Sequence, residues 1–149
     1  MPALAFIGNF GGGEVILIFL LLILAYIPLT FYYLTLSRCL QNCREENRYM
    51  SPGKVWLNFI PFFACVYIFF TVSNISKSIV KEYESLGIKS PTTGGKGIGI
   101  AYAVLSAIGI IPYLNIITGV PCLICWIIHW VRISSCTEEI ERQKRRLDL

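Results

Sequence analysis

"IGIAYAVLSAIGIIPYLNIITGVPCLICWIIHWVRI", residues 98–133, decides the fold. No charge falls between Gly97 and Val131. An uncharged apolar run of about 18 residues or more reads as a membrane span, and this run is too long for one crossing. Something inside it must turn the chain. Pro112, Asn115, Gly119 and Pro121 are the available breakers. The spacing predicts two helices, Ile98 to about Ile117 and about Val120 to Ile133, joined by a tight hairpin. The second is short for a span, and a re-entrant pair is the alternative to two full crossings.

Two more charge-free stretches lie upstream, Val15–Leu36 and Val55–Ser76. Only 15% of the 149 residues are charged, against about 25% in soluble domains, and a soluble core could not cover three such runs. Val15–Leu36 covers about 33 Å as a helix, enough to cross the hydrocarbon. Pro28 predicts a kink near its middle. Glu14 stands at its start, no basic residue precedes it and no small-x-small site follows, so it reads as a retained span rather than a secretory leader.

Pro52 and Gly53 suit the start of the span Val55–Ser76. In "SNISKSIVKEYESLG" the residues Ile75, Ile79, Tyr83 and Leu86 recur at helical steps, with Lys77, Lys81, Glu82 and Glu84 assigned to other faces. That pattern predicts an amphipathic continuation stopped at Gly87. Residues 88–97, "IKSPTTGGKG", form a loop, and residues 134–149 form a charged tail. The fold class is all-α: one polytopic membrane domain over residues 1–149, with about four transmembrane helices and an amphipathic extension of the second.

Four alternating spans put the second loop and the tail on one side, with nine lysines and arginines, and the first loop on the other, with Arg38, Arg44, Arg48 and Lys54. The positive-inside rule then places both termini in the cytoplasm. Span one taken alone argues the reverse, because its nearby positive charge follows it. In the tail, Arg142, Lys144, Arg145 and Arg146 form a basic cluster suited to anionic lipid headgroups. The net charge of +4 belongs to such flanks and does not indicate nucleic acid.

Six cysteines carry the sharpest chemical question. Under alternating topology Cys39 and Cys43 share a side with the C-x-x-C pair Cys122 and Cys125. The layout resembles that of vitamin K epoxide reductases and quinone-linked disulfide-forming oxidoreductases. That resemblance implies a quinone beside Cys122 and Cys125 and a shuttle pair at Cys39 and Cys43. A thiolate at a helix start and a mobile second pair would serve thiol–disulfide exchange. The plainer reading is small apolar side chains in packed helices. His129 shares a helix face with Cys125 and Trp126, but one histidine and one thiol fall short of a metal or haem ligand set. A structural hydrogen bond to a neighbouring helix is its expected role, and no metal is expected. "GGGE" and "GGKGIG" follow no strand, so neither reads as a nucleotide loop.

Ile-Pro occurs at Ile27-Pro28, Ile60-Pro61 and Ile111-Pro112, a weak sign of a duplicated hairpin of the kind transporters use. A longer likeness rests on "NRYMSPGKVWLNFIPFF", "FFTVSNISKSIVKEYESLGI", "GIGIAYAVLSAIGIIPYLN" and "CWIIHWVRIS". The pattern Asn-Arg-x-Met-x-Pro-Gly-x-Val-Trp-Leu-x-x-Ile-Pro resembles a family of small bacterial four-helix membrane proteins with no assigned activity. It implies a bacterial inner-membrane location and this topology. The C-x-x-C lies outside the pattern, and tyrosine is usual where His129 stands.

The residues therefore point to a non-catalytic integral membrane protein, an accessory or scaffolding subunit or a homo-oligomer. It needs no cofactor, and its partners are the bilayer and a protein. Gly99, Ala103 and Ala107 offer a small-residue stripe for close helix packing, and Ala103→Leu is expected to weaken association. A quinone-linked thiol oxidoreductase is the alternative, and a small channel or transporter the third reading.

Overall fold

The computed structural model describes residues 11–90 and 94–147. Residues 1–10, the Pro91–Thr93 part of the expected loop and the last two residues of the tail lie outside it. All regular structure among the described residues is helical. Three helices, α1 (Gly12–Asn42), α2 (Pro61–Ser85) and α4 (Pro112–Arg146), contain stretches long and apolar enough to cross a membrane. The fourth, α3 (Lys96–Ile108), has 13 residues, about 20 Å against the roughly 30 Å of hydrocarbon. Four full-length spans are thus not present among the described helices.

The chain divides into two compact units, 1–32 and 33–149. In the first, α1 exposes Ile16, Phe19, Leu20, Ile23, Leu24 and Ile27 around its circumference, as a helix does that meets lipid on all sides. Pro28 is carried inside it. The Thr30 hydroxyl donates to the Tyr26 carbonyl at 2.8 Å, so one hydrogen bond is added beside the one proline forfeits.

The second unit begins with the last turns of α1. Two 3₁₀ helices follow, Glu45–Asn47 and Pro52–Phe59. The residue before a proline is pushed to extended backbone, and Ile60 adopts it (φ −80°, ψ 109°) before Pro61 opens α2. The second long helix therefore starts at Pro61 rather than at Val55. Its inward stripe is Ile68, Val72, Ile75, Ile79 and Tyr83, all buried, so the amphipathic continuation is the same core face carried past the apolar segment. Gly87, at φ +67°, ends it. The Ile88 amide donates to the Tyr83 carbonyl and the Gly87 amide to Glu84, a Schellman closure.

The hairpin in the last apolar block lies at Gly109–Ile111, not next to Pro121. Gly109 caps α3, Ile111 is extended (φ −77°, ψ 117°), and Pro112 starts α4. Pro121 sits inside a 35-residue helix. A proline at the first turn loses no intrahelical bond, whereas an interior one loses a single bond that a packed apolar helix tolerates. Glycine followed by an extended pre-proline residue was the stronger break.

Cross-helix bonds fix directions within this unit. The Arg44 amide reaches Glu82, the Tyr49 amide reaches Ser78, and Asn58 Nδ2 reaches Thr71 Oγ1. Residues 44–59 thus run back along α2. α3 runs back along α4, with Gly99 against His129 and Ser106 Oγ 3.3 Å from Cys122 Sγ. Trp130 Nε1 donates to Thr35 Oγ1 and Asn42 Nδ2 to Glu141, so α4 parallels the end of α1. The first loop and the tail therefore gather at one end of the unit. Alternating spans had placed them on opposite sides.

Candidate functional site

The charged end is organised by Glu82, whose side chain is fully buried. Oε2 accepts from Asn47 Nδ2 at 2.7 Å and from the Arg44 amide at 2.9 Å. Oε1 lies 3.1 Å from Lys144 Nζ and 3.8 Å from Arg44 Nε. Burial pushes the carboxyl upward, but the Asn47, Arg44 and Lys144 contacts outweigh it and hold Glu82 below the usual carboxylate range. A buried charge is tolerated when it is paired and hydrogen-bonded; here Oε2 takes the two hydrogen bonds and Oε1 the two cations.

Three stretches of chain meet on this one carboxylate, and a fourth, the end of α1, is tied in through Lys144. Asn47 Nδ2 also bonds Ser85 Oγ at 3.0 Å. Lys144 Nζ donates a second bond to the Asn42 carbonyl. Arg48 Nε and Nη2 donate to the Cys43 and Gln41 carbonyls at 2.8 and 2.9 Å. α1 has no basic residue in its own last turn, and these two cations supply the donors its carboxyl end needs. The Asn-Arg dipeptide thus has a physical role at both positions. Glu82 was assigned to an outer face from sequence. Its spacing, three residues after Ile79 and seven after Ile75, had placed it on the inner one.

The cysteines divide differently from the expected relay. Cys39, Cys43 and Cys136 are buried together at this end, and none of the six forms a disulfide. Cys39 and Cys43 hydrogen-bond to each other; that bond and burial raise Cys39, while the same bond lowers Cys43. Cys122 and Cys125 stand inside α4, about 15 Å beyond its first residue, so no helix N-terminus polarises them. From Cys122 to Cys136 along α4 is about 21 Å. The expected shuttle pair and the C-x-x-C pair are therefore at different depths of the unit.

His129 is fully buried, against Gly99. Among the described residues no group of three histidine, cysteine or acidic side chains could hold a metal ion. Gly99 and Ala103 are buried on the inner face of α3, with Ala107 partly so. A methyl at Gly99 would sit 2.3 Å from Val72 Cγ1 and 2.7 Å from His129 Nε2, so the small-residue stripe serves contacts inside the chain. Of the tail cluster, Arg142 pairs with Glu138 at 3.3 Å and Lys144 is turned inward to Glu82. Arg145 and Arg146 remain exposed.

No family model, no curated protein and no solved structure matches the chain.

Proposed function

We propose that this chain is a non-catalytic integral membrane protein that holds a rigid charged platform at one membrane face. On that platform it acts as an accessory or scaffolding subunit, for a protein partner or for further copies of itself. The carrying observation is the buried Glu82, which locks the end of α1, the first loop, α2 and α4 into one body. A buried carboxylate held by two hydrogen bonds and two cations fixes geometry. The exposed apolar residues of α4, Tyr113, Ile116, Ile117 and Val120 among them, suit lipid contact. The sequence resemblance described above supports a bacterial inner membrane.

The gathering of the loops supports a one-sided topology. All thirteen lysines and arginines fall at residues 38–54, 77–96 or 132–146, the segments that meet at the charged end. The positive-inside rule assigns that end to the cytoplasm. Crossing the charge-free stretch of α1 then leaves Glu14 on the other face, in place of the two cytoplasmic termini that alternation implied.

Membrane-impermeant maleimide on cysteine-free chains carrying one new cysteine tests this. Glu14→Cys is expected to label in intact cells, while Lys54→Cys, Lys89→Cys and Arg146→Cys label only after the membrane is opened. Labelling of Lys54→Cys from outside would restore alternating spans. For the scaffold itself, extraction into native-lipid nanodiscs is expected to yield particles heavier than one chain. A lone chain with no second copy and no companion protein would sink that role.

A further inference from the structure

A pocket of about 450 Å³ opens beside the platform, lined by Tyr49, Ser76, Lys77, Val80, Lys81, Glu84 and Lys96. Three ammonium groups face one carboxylate there. The Lys77 and Lys81 ammoniums sit 5.7 and 5.8 Å from the centre of the Tyr49 ring, a cation–π arrangement that holds two like charges against one aromatic ring. Lys81 also donates to the Glu46 carbonyl at 2.7 Å. Among the described residues Lys96 has neither ion pair nor hydrogen bond. Unpaired cations held together in this way favour an anion.

A second observation is independent of the lysines. Ser76 is 2% exposed, and its Oγ has no hydrogen-bond partner among the described residues. A buried hydroxyl without a partner costs free energy unless a ligand completes it. Gly94, at φ +54°, presses on the Ser76 backbone, where a methyl would come 2.7 Å from the carbonyl oxygen.

A third observation separates a lipid from a free anion. Ser76 is the last residue of the charge-free stretch of α2. Stepping back from Lys77 by helical turns along the same face gives Phe70, Val66 and Phe63, all exposed. A cationic pocket therefore stands directly above an uncovered apolar stripe, and a molecule that satisfies both has an anionic head and hydrocarbon tails.

The geometry points to a bound anionic phospholipid, its phosphate among Lys77, Lys81, Lys96 and the Ser76 hydroxyl, its acyl chains along Phe70, Val66 and Phe63. The site is distinct from the exposed arginines of the tail. It rests on the reading that α2 and α4 lie in a bilayer.

Native mass spectrometry of the full chain in detergent, titrated with phosphatidylglycerol, phosphatidylcholine or inorganic phosphate, tests it. Phosphatidylglycerol is expected to be retained well above phosphatidylcholine, and phosphate alone is expected neither to bind nor to displace it. The Lys77→Gln, Lys81→Gln and Lys96→Gln variants should each lose about fivefold in lipid retention. Ser76→Ala should weaken retention while leaving the unfolding temperature unchanged or raised, since the apo hydroxyl makes no bond to lose. Glu84→Gln should tighten retention, and Arg145→Gln with Arg146→Gln should leave it unchanged.

Unchanged retention in the lysine variants, or displacement by phosphate, overturns the lipid site. Equal loss in the tail variant also overturns it, because the attraction would then be general to the charged end. Alkaline carbonate extraction is run alongside. If the wild-type chain leaves the membrane, the bilayer reading has failed. If it stays and the lysine variants bind as before, the headgroup site alone has failed.

Discussion

Replacing Glu82 with leucine is expected to unlatch the charged end, at a cost of about 3 kcal/mol. Leucine fills nearly the same volume, so packing of α2 changes little. What is lost is the acceptor for the Asn47 side chain, the Arg44 amide and the Lys144 ammonium. The side chains of Arg44 and Lys144 are 34% and 23% exposed, so each can turn partly to water, which holds the loss to the lower end of what breaking a buried pair costs. Thermal unfolding in detergent measures it, and faster alkylation of Cys43 would report the opening directly. A variant as stable as the wild type, with Cys43 still protected, would remove the latch from the account.

The same latch should respond to acid. Glu82 is held below its ordinary value. Its stabilisation is therefore complete above the unfolded carboxyl value of about 4.3 and is lost as pH falls through the lower folded value. The wild type should loosen only in that acid window, and Glu82→Gln should show no such step. A transition nearer pH 7 would assign the behaviour to another group.

Enlarging Gly99 is the second large effect. Its built methyl meets Val72 Cγ1 at 2.3 Å, with two atoms of His129 within 2.8 Å. All three neighbours belong to α2 or α4, so relief requires α3 to lift from both. Gly99→Ala is expected to cost about 2 kcal/mol, and Gly99→Leu to prevent docking of α3. Gly97→Ala is the control, since a methyl there meets nothing within 4 Å. It should be neutral or slightly stabilising, from helix propensity alone. Ala103→Leu, expected from sequence to weaken association, should instead act on the fold, because Ala103 is buried within the chain. Loss of assembly with unchanged stability in Gly99→Ala would return the stripe to an intermolecular role.

The helices were legible wherever charge-free length or period decided the matter. Val15–Leu36, the inner face of α2 and the stop at Gly87 follow from local rules. The turn in residues 98–133 was misplaced because Pro112 and Pro121 look alike in sequence, and only what precedes each separates them. Ile111 is extended after a capping glycine, and Val120 is mid-helix. The gathering of the first loop with the tail was hidden for a different reason. Alternation treats each apolar run as a crossing, while residues 44–59 return along α2 through contacts with Glu82, Ser78 and Thr71, which no local pattern announces. Glu82 itself was within reach: a charge at helical spacing from Ile75 and Ile79 was the signal. Its partners were not, for Asn47 and Lys144 are brought to it only by the tertiary fold.

The α3–α4 hairpin has a consequence for how the chain reaches its membrane. Its tip, Gly109–Ile111, carries no charge, nor does anything else from Gly97 to Val131. Moving a lysine or arginine through the bilayer centre costs about 2.5–3.5 kcal/mol, and this segment moves none. Under the one-sided topology proposed above, its flanking cations, Lys96 and Arg132, stay on the side of synthesis. The hairpin can therefore partition into the bilayer as a closed unit from the side of the ribosome, after α2 has formed the wall it docks on. Biogenesis of this half of the protein would then need membrane insertion but no translocation.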